Sequence, residues 1–129
     1  MSGDISSNDL AYLGDAVIEL FTRRFLVTCG TDGKHHSESA IEFVCAAAQS
    51  DALSKVESLF TEEEADVYRR ARNNYHTSNI PKSASALQYR RSTGFEAVFG
   101  YLYLKGDVPR AKELFEAAYG EIINKVKGN

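Results

Sequence analysis

Residues that stabilise small extracellular domains or form zinc sites are scarce in this chain. Only two cysteines, Cys29 and Cys45, occur among its 129 residues, and they do not form a CxxC motif. A disulfide framework or a structural zinc site is therefore not expected, whereas a reducing compartment such as the cytoplasm is. No apolar run approaches the roughly 18 residues of a membrane span, and residues 1–9 are too polar for a signal peptide. We therefore expect a cytoplasmic protein without a membrane partner.

Acidic residues are missing from residues 67–95, although the whole chain has a net charge of −3. The basic residues of this segment are Arg69, Arg70, Arg72, Lys82, Arg90 and Arg91. A concentrated basic segment in an acidic protein can still present a basic face to a nucleic acid. An ordinary solvated surface is the alternative interpretation, so the segment needs support from other motifs.

Strand patterns are absent as well, because apolar residues recur at helical spacing and β-branched residues do not alternate. We expect an all-α fold in a single domain over residues 1–129, a length that can bury a core. The clearest helix start is Thr61, whose capping box is completed by Glu64, and Asp107 is predicted to cap the last helix. A break is expected near Ser50–Asp51. Helices are predicted over about residues 7–29, 37–60, 61–74, 85–105 and 107–126.

Two carboxylates lie in the middle of the first and fourth predicted helices. Both helices are apolar over most of their circumference, which predicts two buried central helices. Asp15 directly follows Gly14, and Glu96 lies between Gly94 and Gly100. A buried carboxylate is unfavourable unless it is paired or binds a metal, and glycine within a helix costs about 1 kcal/mol relative to alanine.

These carboxylates and glycines allow two interpretations. The glycines could leave space for a ligand to approach the carboxylates, and Mg²⁺ would fit because it takes one or two carboxylates and several waters. Alternatively, Asp15 pairs with a buried arginine and the glycines serve only the close packing of helices. The spacing of the residues alone does not decide between them.

The residues around both carboxylates resemble the ribonuclease III catalytic domain. Residues 10–17, LAYLGDAV, resemble the signature helix of that domain, and residues 95–104, FEAVFGYLYL, resemble the helix with its other metal-binding glutamate. The Mini-III branch, which lacks a separate domain for binding double-stranded RNA, has similar segments in the same order. They are residues 70–73 (RARN), 81–82 (PK) and 89–93 (YRRST).

This resemblance implies a homodimeric all-α endonuclease domain that cleaves double-stranded RNA and leaves 5′-phosphate ends. It implies that Asp15 and Glu96 are catalytic residues that bind Mg²⁺, with Mn²⁺ as a substitute. The RNA-binding residues that it implies are Arg70, Arg72, Asn73, Lys82 and Arg90. The role implied by the Mini-III branch is maturation of the 23S ribosomal RNA precursor, with a ribosomal protein as an accessory partner.

Two positions depart from the pattern of full-length ribonuclease III. That family has a further glutamate one turn before the signature aspartate, where this chain has Ala11. It also has an aspartate one turn before the second glutamate, where this chain has Thr93. The site is therefore expected to contain fewer carboxylates. The competing hypothesis is a catalytically silent RNA-binding or scaffold protein with the same helical fold.

Overall fold

A computed structural model describes residues 5–28, 43–74 and 85–128 of the chain. Within these ranges the fold is all-α and contains no strand, as the sequence predicts. A 3₁₀ turn, Glu57–Leu59, joins the second helix to the third. None of the described helices is both long and apolar enough to cross a membrane. The six α-helices of the described ranges are α1 (Ser7–Thr28), α2 (Ala46–Val56), α3 (Glu62–Asn73), α4 (Ala86–Lys105), α5 (Val108–Ala118) and α6 (Gly120–Gly128).

Helices α1 and α4 form the centre of the fold and cross at two glycines. A methyl group built at Gly14 would lie 1.6 Å from the carbonyl oxygen of Glu96. One built at Gly100 would lie 2.0 Å from the carbonyl oxygen of Leu10, so the two helices run antiparallel. Two backbones can approach this closely only where no side chain intervenes. Helices α2 and α3 then pack against α4, which places α4 at the centre of the described fold.

Capping residues set the helix boundaries, and several predicted boundaries are confirmed. Thr61 and Glu64 form the predicted capping box at the start of α3, and Ser85 begins a second capping box at α4. Gly106 ends α4 with a φ of 87°, a left-handed conformation that favours glycine. Asp107 then caps α5 through its side chain. The predicted end of the first helix at residue 29 and the predicted start of the second helix at residue 37 lie outside the described ranges.

The break predicted near Ser50–Asp51 is wrong. Helix α2 continues through both residues and ends at Val56. The extended backbone that interrupts this part of the chain lies at Cys45 instead, directly before α2. Polar residues within a helix do not end it when tertiary contacts satisfy them, and Ser50 has such contacts with α4.

The last predicted helix is in fact two helices. Helix α5 ends at Ala118 and α6 begins at Gly120, with Tyr119 between them. The Tyr119 side chain is buried, and its hydroxyl donates a 2.7 Å hydrogen bond to the carbonyl oxygen of Phe43. This long-range contact accompanies the division, and periodicity along the chain could not predict it.

An aromatic cluster forms the main core on one side of the α1–α4 pair. The ring centroids of Phe115 and Tyr119 lie 4.9 Å apart, and those of Phe95 and Phe99 lie 5.0 Å apart. Such pairs contribute about 0.5–1.5 kcal/mol each beyond the burial of their area. The members of the cluster are Phe21, Phe43, Phe95, Phe99, Phe115 and Tyr119.

One side of α1 remains exposed, although the helix is central. Tyr12, Leu20 and Val27 are 84%, 58% and 68% exposed, and helical spacing places them with Ala16 on one side of α1. We refer to these four residues as the exposed α1 face. The apolar residues around α1 predict that the helix is buried on all sides. Within this chain, only the side that faces α4 and the aromatic cluster is buried.

A buried ion pair joins α3 to α5. Arg110 donates hydrogen bonds of 2.9 Å from Nε and Nη2 to the two carboxylate oxygens of Glu64, which is 3% exposed. Burial by itself raises the pKa of Glu64, but the hydrogen bonds from Arg110 and Thr61 outweigh it and lower that pKa. Paired in this way, the same carboxylate completes the capping box of α3 and fixes its position against α5.

Candidate metal and RNA site

The side chains of Asp15 and Glu96 meet where α1 crosses α4. The two carboxyl groups lie close enough to interact, although 81 positions separate them in the chain (96 − 15). Asp15 lies on the exposed side of α1, whereas Glu96 is half-buried. The crossing at Gly14 and Gly100 holds the two helices together at this point. The structure therefore brings together the two residues that the sequence predicts as metal ligands.

The electrostatics of Glu96 are unfavourable for a second negative charge. Burial, and then the neighbouring charge and hydrogen bond of Asp15, raise the pKa of Glu96 well above its ordinary value. A hydrogen bond from Gln49 acts in the opposite direction. Two carboxyl groups this close favour either a shared proton or a cation between them. The alternative in which Asp15 pairs with a buried arginine does not describe these residues, because the Asp15 side chain is exposed and its neighbour is Glu96.

The glycines around the carboxylates do not leave space for a ligand. The positions above Gly14 and Gly100 are filled by the backbone of the opposite helix. Gly94 faces the ring of Tyr68, and a methyl group there would lie 2.6 Å from that ring. The interpretation that the glycines serve close helix packing is therefore correct. They contribute to the site indirectly, by bringing the helices that carry Asp15 and Glu96 into contact.

The two positions that depart from full-length ribonuclease III contain no additional ligand. Ala11 is buried, and the Thr93 hydroxyl donates a 2.9 Å hydrogen bond to the carbonyl oxygen of Tyr89 in its own helix. Among the described residues, no group of three or more histidine, cysteine or acidic residues could bind a metal. A cation at this site would be held by Asp15 and Glu96, with water completing its coordination. That donor set suits Mg²⁺, which retains several waters when proteins bind it.

Gln49 is a polar residue of this site that was not predicted from the sequence. It lies in α2, is 1% exposed, and its side-chain amide donates a 3.4 Å hydrogen bond to Oε2 of Glu96. A glutamine within the apolar side of a predicted core helix was the available signal, because buried amides need partners. The identity of the partner could not be read from the sequence.

Three of the predicted RNA-binding residues cluster at the end of α3. Ala71 packs in a small buried cluster with Ala11 and Ala97. Ala11 lies one turn before Asp15, and Ala97 directly follows Glu96. The end of α3 that carries Arg70, Arg72 and Asn73 is therefore close to the crossing of α1 and α4. This junction gives the basic residues a defined position relative to the acidic ones.

These basic side chains have different local partners. The Arg72 guanidinium lies over the ring of Tyr68 at 5.4 Å and donates a 3.2 Å hydrogen bond to Oδ1 of Asn73. The Arg70 side chain is 72% exposed and forms a 3.1 Å ion pair with Asp66. Asp66 directly precedes residues 67–95, the segment without acidic residues, which we refer to as the acid-free segment. Stacking on Tyr68 limits the conformations of Arg72, so it is the more preorganised of the two arginines.

The other basic residues predicted to bind RNA are less well defined. Arg90 is half-buried on α4, one turn before Gly94. Lys82 lies outside the described ranges. Arg91, which also belongs to the basic segment of residues 67–95, is turned toward α2 and donates hydrogen bonds to Ser50 and Ser54. The acid-free segment therefore divides into residues at the edge of the site and a residue that joins two helices.

A cavity of about 480 Å³ lies between α1, α5 and α6. Neither Asp15 nor Glu96 lines it, so it is separate from the carboxylate pair. Its apolar part includes Phe21, Phe25 and Phe115, and its basic part includes Arg24, Lys112 and Lys127.

Comparisons with known proteins agree with the all-α fold. Residues 8–107 match the Ribonuclease III domain, which includes Asp15 and Glu96. A Mini-ribonuclease 3 of Symbiobacterium thermophilum is 44% identical over 84% of this chain and 84% of its own length. One of Streptococcus pneumoniae is 41% identical over 92% of this chain and 91% of its own length. A crystal structure of a Fusobacterium nucleatum protein, 28% identical, covers 88% of this chain and 91% of its own with a TM-score of 0.80.

Proposed function

The chain belongs to the ribonuclease III family, in the Mini-ribonuclease 3 branch, and we propose that Asp15 and Glu96 are its catalytic metal ligands. Members of the family are generally divalent-metal-dependent endoribonucleases that act on double-stranded RNA, and this chain is an endoribonuclease of that kind. The single catalytic domain has Mg²⁺ as its metal, with Mn²⁺ as a substitute. The observation that supports this site is the contact between the two carboxyl groups across the α1–α4 crossing.

The unequal surroundings of the two carboxylates support the division of their roles. Asp15 is exposed and is therefore the ligand that lies next to the approaching RNA. Glu96 is half-buried and contacts Gln49, so its position is better fixed. Asp15 and Glu96 would hold a Mg²⁺ there, and that ion would supply an activated water and would offset negative charge on the scissile phosphate. Mutual repulsion between the carboxylates supplies part of the affinity, because a cation relieves it.

The end of α3 provides the surface that we propose for the RNA. Duplex RNA is recognised mainly through its shape and its phosphate backbone. Arg70, Arg72 and Asn73 adjoin the carboxylate pair and supply positive charge and a hydrogen-bonding amide. Arg90 on α4 is a further residue of this surface, and Lys82, which lies outside the described ranges, is also proposed to bind RNA. Without a separate RNA-binding domain, these residues provide much of the affinity, since neutralisation of phosphates dominates binding.

Replacement of Arg72 with alanine should weaken duplex RNA binding and reduce its salt dependence. One phosphate contact contributes about one unit to the slope of log K against log salt. We therefore expect Arg72→Ala to lower that slope by about one in a titration of duplex RNA without Mg²⁺. Lys125→Ala, which removes an exposed cation from α6, is the matched control and should leave the slope unchanged. Equal slopes for wild type and Arg72→Ala would show that Arg72 does not contact phosphate.

We also propose that the enzyme is a homodimer that uses the exposed α1 face. Three large apolar side chains on one side of a helix are unfavourable in water, and a second copy would cover them. The same helix carries Asp15, so an interface on this face would bring the two active sites close together. Two-fold symmetry then provides one site for each strand of the duplex.

Leu20→Glu should convert the dimer to a monomer. A charge in the centre of the exposed α1 face would be desolvated on association, which is strongly unfavourable. The mass measured by light scattering after gel filtration should fall by half. Leu87→Glu is the matched control, because Leu87 on α4 is also 58% exposed but lies outside the exposed α1 face. Dissociation of both variants, or of neither, would place the interface elsewhere.

The substrate that we propose is the precursor of 23S ribosomal RNA in the cytoplasm, with a ribosomal protein as an accessory partner. The experiment compares this precursor with a plain duplex, each with Mg²⁺ and with EDTA. Cleavage of either RNA with Mg²⁺ but not with EDTA excludes the alternative of a catalytically silent RNA-binding protein. Faster cleavage of the precursor after addition of a ribosomal protein supports the accessory role, whereas equal rates on both RNAs exclude this specificity.

A further inference from the structure

A buried amide contacts the half-buried carboxylate of the proposed site. The Nε2 of Gln49 donates a hydrogen bond to Oε2 of Glu96 at 3.4 Å, and the Gln49 residue is 1% exposed. A carboxylate accepts but does not donate, so the amide N–H₂ is the group that faces it. A buried amide next to a charged oxygen is favourable only if the bond forms, which restricts both side chains.

The position of Gln49 is fixed by a second contact between the same two helices. Arg91 on α4 donates hydrogen bonds to the Ser50 hydroxyl at 2.8 Å and to the Ser50 carbonyl oxygen at 3.0 Å. It also donates to the Ser54 hydroxyl at 2.6 Å. These bonds join α2 to α4 directly beside Gln49. The distance between the backbones that carry Gln49 and Glu96 is therefore defined by more than the Gln49 side chain.

We infer that Gln49 is a positioning residue, which orients the Glu96 carboxylate so that its other oxygen, Oε1, is available to a divalent cation. The role of Gln49 rests on the proposed metal site formed by Asp15 and Glu96. Its amide occupies Oε2, and it does so from the buried side of the site. Rotation of the carboxylate would break this bond in a place that water does not reach. Gln49 thus restricts Glu96 to an orientation in which one oxygen remains available to a cation beside Asp15.

Binding of Mn²⁺ to the protein without RNA tests this role separately from catalysis. Gln49→Met has nearly the same volume but cannot donate to Glu96. Loss of a residue that orients a metal ligand typically weakens metal affinity 10- to 100-fold. Calorimetry should therefore give a Kd for Mn²⁺ that is at least about tenfold higher than that of wild type. Cleavage of duplex RNA should require a correspondingly higher Mg²⁺ concentration for half-maximal rate, with unchanged RNA binding in EDTA.

Thr22→Val is the matched control, because Thr22 is equally buried and also loses one side-chain hydrogen bond, to the carbonyl oxygen of Ile18. It should reduce stability without changing the Kd for Mn²⁺. If Gln49→Met does not fold, Gln49→Asn is measured instead, because its shorter amide cannot reach Glu96. An unchanged Kd in the folded Gln49 variant would overturn the positioning role. Mn²⁺ binding by Asp15→Asn is measured in parallel. If Asp15→Asn still binds Mn²⁺ as wild type does, the proposed metal site itself is wrong. If Asp15→Asn loses binding and the Gln49 variant does not, only the positioning role is wrong.

Discussion

Asp15→Asn should reduce cleavage of duplex RNA by at least about a thousandfold at saturating substrate. A metal that activates water and offsets phosphate charge contributes several kcal/mol to a transition state, and each 1.4 kcal/mol corresponds to about a tenfold change in rate. Asparagine keeps the shape of the side chain but loses the charge that attracts the cation. Single-turnover cleavage with Mg²⁺ measures the effect. Undiminished cleavage would rule out Asp15 as the metal ligand.

The matched control for Asp15→Asn is Glu62→Gln. Glu62 is exposed in the first turn of α3, at the opposite end of that helix from Arg70, Arg72 and Asn73. We expect Glu62→Gln to cleave within about threefold of wild type, a difference of under 1 kcal/mol. Affinity of Asp15→Asn for duplex RNA in EDTA should be equal or higher, because one negative charge near the phosphates is removed. Weaker RNA binding by Asp15→Asn would indicate a loss of structure instead of a loss of the metal.

Asp15→Asn should also stabilise the protein without metal at neutral pH, by about 1 kcal/mol. Burial and the charge of Asp15 raise the pKa of Glu96 in the folded state. Ionised Glu96 therefore destabilises the fold above this pKa, and that cost decreases as the pH falls through it. Unfolding in urea with EDTA should show a stability difference that narrows on acidification. A constant difference across pH would mean that Asp15 does not act on Glu96.

Gly14→Ala should destabilise the fold by more than about 3 kcal/mol or prevent folding. Overpacking of side chains usually costs 1–3 kcal/mol. Here the added methyl group would lie 1.6 Å from a backbone oxygen of Glu96, and neither helix can rotate a backbone away as it could a side chain. Intrinsic helix propensity favours alanine by about 1 kcal/mol, so destabilisation would arise entirely from the crossing. Urea unfolding monitored by circular dichroism measures the loss.

Gly120→Ala provides the comparison for Gly14→Ala. A methyl group at Gly120 would have no heavy atom within 4 Å. Stability should therefore remain within about 0.5 kcal/mol of wild type or increase slightly. If Gly14→Ala were equally well tolerated, the two central helices could not be as close as the crossing requires.

Much of the fold could be predicted from the sequence because its signals are local. The capping box of Thr61 and Glu64, the end of α4 at Gly106 and the cap at Asp107 each depend on residues a few positions apart. The division at Tyr119 was missed because its accompanying hydrogen bond joins Tyr119 to Phe43, 76 positions away. Helical periodicity continues across residue 119, so the pattern gave no indication of the turn.

The candidate site was predictable in part, and for two different reasons. Asp15 and Glu96 are unusual on apolar helices, and family resemblance predicted that they act together. The sequence alone did not show the role of the glycines. A site that needs space for a ligand and a close contact between two helices both favour glycine, so the residue type does not distinguish them. Gln49 was missed because an amide shows its importance only through a partner on another helix.

The glycine crossing of α1 and α4 also sets a limit on how this enzyme can be altered. The backbones of α1 and α4 are in contact at the crossing, and this contact fixes the distance between Asp15 and Glu96. The side chains in the rest of the core do not set that distance. Repacking of Phe115 against Phe21 within the aromatic cluster would change the stability of the fold. It would leave the span available to a cation unaltered. Thermostability and metal preference are thus separately adjustable, the first through the aromatic interior and the second only at the carboxylates and their immediate contacts.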